Sequence, residues 1–343
     1  MVYNVTLIPG DGIGPEVVEA TVSVLESTGL KFVWDRQETI GAAAVEEYGT
    51  PLPEMVLDSV RRNKVALKGP VTTPVGKGFK SVNVGLRQRL DLFANVRPCL
   101  TLPGIKTPFE NVDLIIFREN TEGLYSGIEN FDERLEIADT ISRITRTGCR
   151  RIIEFAFDYA RRTGRQKITL VHKANILKQA GAMFLDIGRE VAARYPEIEV
   201  NDRIIDNMSM QLVMYPERYD CIVTTNLFGD ILSDLCAGLV GGLGVVAGAN
   251  IGSEYAIFEA VHGSAPDIAG QNKANPTALI RTGEMMLRHL GEHAIADVVA
   301  SELVSVYQEG RTLTADVGGT SSTDEFAAYL SDRISSRVAS LKA

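Results

Sequence analysis

The regular exchange of strand-like and helical segments constrains this chain more than any other feature. Short apolar runs at residues 5–8, 64–67, 113–117, 167–171, 200–206 and 221–225 carry strand-type patterns. Helical stretches lie between most of them: 16–27, entered through Pro15 and closed by Gly29, then 149–162 and 180–194. Strands that alternate with helices need crossover connections, so the expected fold is α/β with a largely parallel sheet. At 343 residues the chain is long for one core, and two domains are expected.

Polar residues gather where the strand patterns end. Residues 113–117 run into Arg118-Glu-Asn120, 167–171 into His172-Lys-Ala-Asn175, and 221–225 into Asn226. The carboxyl edge of an open α/β sheet is where ligands bind. Gly10-Asp-Gly-Ile-Gly14 follows the first strand, but its spacing is not G-x-G-x-x-G. A Rossmann fold is therefore excluded, and the glycines mark a tight strand-to-helix turn whose backbone amides could still line a ligand. The Gly-rich stretch 238–252 reads as a tight crossover.

Charge narrows the ligand. The 35 basic and 44 acidic residues give a net charge of −9, which argues against broad binding of nucleic acid or anionic membrane. An anionic ligand must then be held by local clusters of Arg and Lys. Cys99, Cys149, Cys221 and Cys236 are far apart with no Cys-x-x-Cys, the usage of reduced thiols in a cytosol-like compartment. The first residues run straight into a strand pattern, so neither a signal peptide nor a membrane span is expected. The expected location is cytoplasmic, with the mitochondrial matrix left open.

Four clusters carry chemistry. Asp230 and Asp234 lie one helical turn apart, where like charges repel by a few tenths of a kcal/mol unless a cation sits between them. Hard oxygen ligands of this kind suit Mg²⁺ or Mn²⁺; the alternative has Asp230 at the positive end of a helix and Asp234 in water. Ser81, Asn83 and Arg87 start a helix and share a face, and Arg97 sits beside Pro98, which is expected to end the segment. With Arg118 this makes three arginines for planar recognition of a small polycarboxylate, unless the helix face is only solvated. Tyr125 and Lys173 are candidate acid and base, since a lysine near a metal and other cations can lose its proton and a tyrosine can relay one. Residues 259–270, from Glu259 through His262-Gly-Ser-Ala-Pro-Asp267 to Gly270, form a loop of small residues in which Asp267 could accept both ribose hydroxyls and repel a 2′-phosphate.

Taken together and in order, these clusters resemble the β-decarboxylating dehydrogenases that act on isocitrate, homoisocitrate or 3-isopropylmalate. The resemblance runs from Ile8 to Gly319. It implies a mixed, mostly parallel sheet that is not Rossmann, a large domain of residues 1–98 and 254–343, and an inserted smaller domain, 99–253, that pairs with its twin in a homodimer. It implies Mg²⁺ or Mn²⁺ on Asp230 and Asp234 of one chain and Asp206 of the other. Lys173 from the partner chain and Tyr125 would be the catalytic pair. Ser81, Asn83, Arg87, Arg97, Arg118 and Asn175 would meet substrate. Thr72, Glu259, His262, Gly263, Ser264, Ala265, Asp267, Ile268 and Asn275 would meet NAD. Ser81 and Asn83, together with Tyr125-Ser-Gly-Ile-Glu129, look like NAD-dependent isocitrate dehydrogenases, whereas residues 200–270 read equally like homoisocitrate dehydrogenase. A non-catalytic regulatory subunit is the rival from another class; such paralogues usually lose catalytic positions that this chain retains.

Overall fold

The computed structural model describes residues 1–73, 79 and 81–342. The chain opens with β1 (Val2–Ile8), α1 (Gly14–Ser27), β2 (Lys31–Arg36), α2 (Ala42–Tyr48), α3 (Glu54–Asn63) and β3 (Val65–Lys68). Pro15 pre-sets the first turn of α1, which buries Val17, Val18, Val24 and Leu25. Next come α4 (Val82–Arg89), β4 (Ala94–Leu100), β5 (Asp113–Glu119) and an antiparallel pair, β6 (Gly123–Asp132) and β7 (Ile137–Arg143). Then follow α5 (Arg146–Thr163), β8 (Lys167–His172), α6 (Lys178–Ala192), β9 (Glu199–Ile204), α7 (Ile205–Met214), β10 (Cys221–Thr224) and α8 (Asn226–Leu239). β11 (Ala249–Ile251), β12 (Ala256–Glu259), α9 (Thr277–His289), α10 (His293–Glu309) and α11 (Thr323–Lys342) complete the order.

Ten strands form one sheet in the order β2-β1-β3-β12-β11-β4-β5-β10-β8-β9. Six neighbouring pairs are parallel; the three antiparallel ones, β12 with β11, β11 with β4 and β4 with β5, lie together in the middle. The mixed, mostly parallel sheet is thus as expected. All six expected strands are present with small shifts, and three expectations change. Pro98 does not end a helix: α4 stops at Arg89, and Arg97 and Pro98 lie within β4. β11 pairs only with Ala94–Val96, so one edge of β4 at Pro98 needs no amide donor. The strand expected at 200–206 ends at Ile204, which moves Asp206 into the first turn of α7. The stretch read as a tight crossover contains β11, three residues long and too short to show a periodic pattern.

Side-chain parity sorts the core. Leu7, Leu67, Phe117, Leu170, Val223 and Phe258 point to one face, where α1, α5, α6, α9, α10 and α11 make a continuous hydrophobic core. Their neighbours point to the other face, where the core is split. Ile8, Ala66 and Ile257 pack under α3 and α4, while Ile116, Val171 and Ile222 pack under α7 and α8. The gap between these two smaller cores lies over the antiparallel middle of the sheet.

Candidate active site

Strand parity aims polar side chains into that gap. Arg97 follows Val96, Arg118 follows Phe117, Asn250 lies between Ala249 and Ile251, and Glu259 follows Phe258; each of these neighbours belongs to the continuous core. Lys68, Arg97, Arg118, Asn250 and Glu259 therefore share the face left open. Helix α4 delivers Asn83 and Arg87 from one side. Helix α8 delivers Asn226, Asp230, Ser233 and Asp234 from the other, with Asp230 and Asp234 on one face as their spacing predicts.

The three arginines converge, each with its own backing group. Arg118, 1% exposed, donates from Nε and Nη2 to Asn226 Oδ1 at 2.9 and 2.7 Å and from Nη1 to Asp230 Oδ1. Tyr125 donates to the other oxygen of Asp230, and its ring lies under the Arg118 guanidinium with 4.9 Å to the centroid. Arg97 Nη1 donates to Ser233 Oγ at 2.5 Å and Asp234 Oδ1 at 3.0 Å. Arg87 Nη2 lies 3.3 Å from Glu259 Oε1, while Lys68 Nζ donates to Glu259 Oε2 at 2.8 Å. Asn250 donates to Glu259 at 2.8 Å and accepts from Asn95 and Asn120, also at 2.8 Å.

Proton affinities follow from this crowding. Burial, then the neighbouring Arg87, pulls Arg118 down to about 10, and the same two causes lower Arg97. Burial alone would raise Asp230, but Arg118 and the Tyr125 hydrogen bond outweigh it and hold the carboxyl below its ordinary value. Glu259 is likewise opposed by burial yet held at about 2 by Lys68 and Arg87. Tyr125 moves upward through burial and its bond to Asp230, so it keeps its proton at neutral pH and is a potential donor.

A cavity opens beside these groups, lined among others by Asn83, Asn95, Arg87, Arg97 and His262. Asn83 Oδ1, Asn95 Oδ1, Arg87 Nε, Arg97 Nε and His262 Nε2 are buried there without a protein partner among the described residues. Such an unmade bond costs about 1–3 kcal/mol, so a cluster of five marks a place for a polar ligand. Burial lowers the His262 pKa, and its Nδ1 lies 3.0 Å from the Gly263 carbonyl oxygen. A neutral ring in that contact carries its proton on Nδ1 and leaves Nε2 as an acceptor.

The residues expected on the cofactor side lie on a rim of the loops after β3 and β12, part of it packed against the turn after β1. Gly10 and Gly12 have positive φ, and a Cβ on them would stand 2.0 Å from the carbonyl oxygens of Pro70 and Ser264. Ile13 N donates to Ser264 O at 2.8 Å, Thr72 Oγ1 lies 2.7 Å from Ser264 Oγ, and Thr72 N donates to Asp11 at 2.9 Å. Ala265 takes a left-handed conformation with φ of 38°, and Gly263 and Asp267 are exposed while Ile268 packs on the core. Asn275 is buried, donates to Asp316 at 2.9 Å and accepts from Thr277 N at 3.0 Å.

The remaining expected residues form a separate group. Lys173 and Asn175 lie in the turn after β8, with Asn175 exposed, and Lys173 Nζ donates to Asp206 Oδ1 at 2.6 Å. Among the described residues no three His, Cys, Asp or Glu side chains gather as a metal cage, so one chain does not bring Asp206 to Asp230 and Asp234. Lys68, Asn226, Ser233 and Asn250 were absent from the expected site. Lys68 and Asn226 stand at strand ends, the signal that marked Arg118; Ser233 and Asn250 carry no sequence signal of their own.

The sheet order defines an α/β fold outside the Rossmann group, with a polar site on its open face. The chain belongs to the isocitrate/isopropylmalate dehydrogenase family, whose model matches residues 4–330. It is 48% identical over 334 residues to a mitochondrial NAD isocitrate dehydrogenase regulatory subunit of Dictyostelium discoideum, covering 97% of this chain and 92% of that one. NAD isocitrate dehydrogenase catalytic subunit 5, mitochondrial, of Arabidopsis thaliana is 49% identical over 330 residues, covering 96% and 88%. The crystal structure of isocitrate dehydrogenase from Methylococcus capsulatus matches with a TM-score of 0.94 at 55% identity, covering 97% and 99%.

Proposed function

We propose that this chain catalyses the NAD-dependent, metal-dependent oxidative decarboxylation of isocitrate to 2-oxoglutarate and CO₂. The observation that carries this reading is the clustering of three buried arginines: Arg87 and Arg97 line the cavity, Arg97 reaches Asp234, and Arg118 stands near both on Asp230 with Tyr125. Guanidinium forks recognise carboxylates in a plane, and three of them suit a tricarboxylate. Ser81 caps α4 through its contact with Val84 N at 3.5 Å, and Asn83 leaves its amide oxygen unpartnered toward the cavity. An isopropylmalate-type substrate would bring an apolar branch against these polar groups.

The residues fit the two groups that such chemistry requires. Asp230 and Asp234 retain carboxylate lone pairs beyond their arginine contacts, and both stay open to solvent, with side-chain exposures of 36% and 57%. Mg²⁺ or Mn²⁺ held there, with the partner subunit's Asp206, would supply the Lewis acidity that decarboxylation needs. Bound NAD, along the rim from Thr72 to Asn275, would supply the hydride acceptor. Arg87, Arg97 and Arg118 hold the substrate carboxylates, and the partner subunit's Lys173 takes the proton from the hydroxyl as it becomes a ketone. Tyr125, protonated at neutral pH, delivers a proton to the carbon that has lost CO₂.

A homodimer of two-domain chains, split at 1–98 with 254–343 and 99–253, supports this arrangement. Met210, Val213 and Met214 on α7, Ile231 on α8 and Phe131 and Ile141 on the β6–β7 pair are exposed and apolar, as a self-complementary interface would be. The four cysteines are free and buried, which fits a reducing compartment. The two subunit relatives above are mitochondrial by name, and the matrix meets that redox condition as well as the cytoplasm does.

The regulatory reading draws on the Dictyostelium relative, but the chain keeps every catalytic position, which favours turnover. Comparing kcat/KM for isocitrate, homoisocitrate and 3-isopropylmalate, with NAD and NADP and with EDTA as control, decides the matter. A clear preference for homoisocitrate or 3-isopropylmalate replaces the substrate. No metal-dependent NADH production by the purified chain alone revives the regulatory reading.

A further inference from the structure

We propose that Asn226 is a positioning residue for substrate binding, acting through Arg118; the proposal rests on Arg118 being a substrate arginine. Arg118 is the least exposed of the three arginines, at 1%. A buried guanidinium with five donors needs fixed acceptors, and one atom, Asn226 Oδ1, takes two of them at 2.7 and 2.9 Å. Asn226 is itself 1% exposed and fixed from behind, since its Nδ2 donates to the Glu122 carbonyl at 3.0 Å. Glu122 is anchored in turn, because its carboxylate accepts from Thr145 N at 2.8 Å at the start of α5. The amide is therefore a rigid relay between that loop and the guanidinium.

The amide is also neutral. Arg87 and Arg97 are backed by carboxylates, Glu259 and Asp234, whereas the Nε and Nη2 side of Arg118 is held without an opposing charge. Its cationic character stays available to an incoming carboxylate, shared among the described residues only with Asp230. The first turn of α8 adds a steric seat: a Cβ on Gly229 would stand 2.5 Å from Arg118 Cγ, 2.6 Å from its Cβ and 3.2 Å from its Cα. Asn226 thus sets the guanidinium from one end, and Gly229 lets the stem lie flat.

The test is a double-mutant cycle with saturating Mg²⁺, reading KM for isocitrate and for NAD in wild type, Asn226→Ala, Arg118→Lys and the double variant. Asn226→Ala is expected to raise KM for isocitrate by about ten- to a hundredfold, the effect of losing bonds to a charged group, and to leave KM for NAD unchanged. In the Arg118→Lys background the same substitution is expected to cost less than about threefold, because a residue that acts through another loses its effect when that partner is changed. Gly229→Ala, which displaces the arginine by contact, is expected to raise KM for isocitrate alone. Asn226→Asp, which keeps an acceptor oxygen for Arg118, is expected to raise it less than Asn226→Ala and carries the test, with its own cycle against Arg118→Lys, if Asn226→Ala does not fold. Calorimetric titration of isocitrate with Mg²⁺ gives the same ordering without turnover. Penalties that multiply across the cycle, or KM values for isocitrate and NAD that rise together, overturn the positioning role. A wild-type chain that neither binds nor oxidises isocitrate contradicts the proposed function instead, and the cycle is then read with whichever of homoisocitrate and 3-isopropylmalate it binds.

Discussion

Tyr125 donates its hydroxyl hydrogen to Oδ2 of Asp230. Arg118 holds the other oxygen of the same carboxylate, so the proposed proton donor, the proposed substrate arginine and the proposed metal-side carboxylate form one connected unit. A change at any of the three is felt by the other two.

Removing the phenol separates binding from chemistry. Tyr125→Phe keeps the ring under Arg118 but deletes the proton donor. We expect kcat to fall by roughly 100-fold or more with KM for isocitrate within a few-fold of wild type, measured by steady-state NADH formation. Near-normal kcat would remove Tyr125 from the proton-transfer step.

Metal dependence has a residue-level signature. Dialysis against EDTA is expected to abolish turnover, and Mg²⁺ or Mn²⁺ to restore it. Asp234→Asn is expected to raise the half-saturating metal concentration by roughly tenfold or more, because ligand charge sets affinity for hard cations. An unchanged metal titration in that variant would place the ion elsewhere.

Acid should weaken the fold through Glu259. Its carboxyl sits at about 2 against an ordinary 4.5, so the unfolded chain takes up the proton first. The resulting stability, about 3 kcal/mol, is present above the ordinary value and is lost as pH falls from there toward 2. Glu259→Gln is expected to be destabilised near neutral pH because Lys68 and Arg87 lose their shared charge partner. The gap between the two proteins in urea unfolding should narrow between about pH 6 and pH 3. A constant gap would show that the ion triad does not drive the pH response.

Cofactor choice is expected to rest on Asp267, exposed on the loop after Ala265. A carboxylate repels a 2′-phosphate, so kcat/KM with NAD should exceed that with NADP by roughly 100-fold or more. Asp267→Asn is expected to narrow the ratio. Equal use of both cofactors by the wild-type chain would contradict this role.

Shared active sites predict complementation. Lys173→Met and Asp230→Asn are each expected to be inactive. After mixing and subunit exchange, half the dimers are heterodimers with one intact site of two, so about a quarter of wild-type activity should return if each site draws the two residues from different chains. No recovery despite verified exchange would put both residues in one chain.

Much of the site was legible because its residues occupy positions with a physical meaning in one dimension. Asp230 and Asp234 share a helix face by spacing, Ser81 starts α4 as a cap, and Arg118 follows an apolar strand at the ligand-binding edge. Arg97 was placed in the site for a different local reason than the real one, since Pro98 lies in a strand and not at a helix end. Proline is tolerated there only because β11 stops short, a fact about pairing that no local window contains.

The amino-acid sequence by itself determined the alternating α/β architecture, the exclusion of a Rossmann fold and the chemical inventory of arginines, carboxylates, Tyr125 and Lys173. These are properties of periodicity, spacing and residue type. Tertiary structure alone decided that the core splits on one face of the sheet and leaves a gap over the antiparallel strands. It also assigned Glu259 to Lys68 and Arg87, and Asn226 to Arg118, across separations of 191, 172 and 108 residues. Partners that distant meet only when the sheet order is set, because strand order depends on how crossovers pack and not on any local pattern.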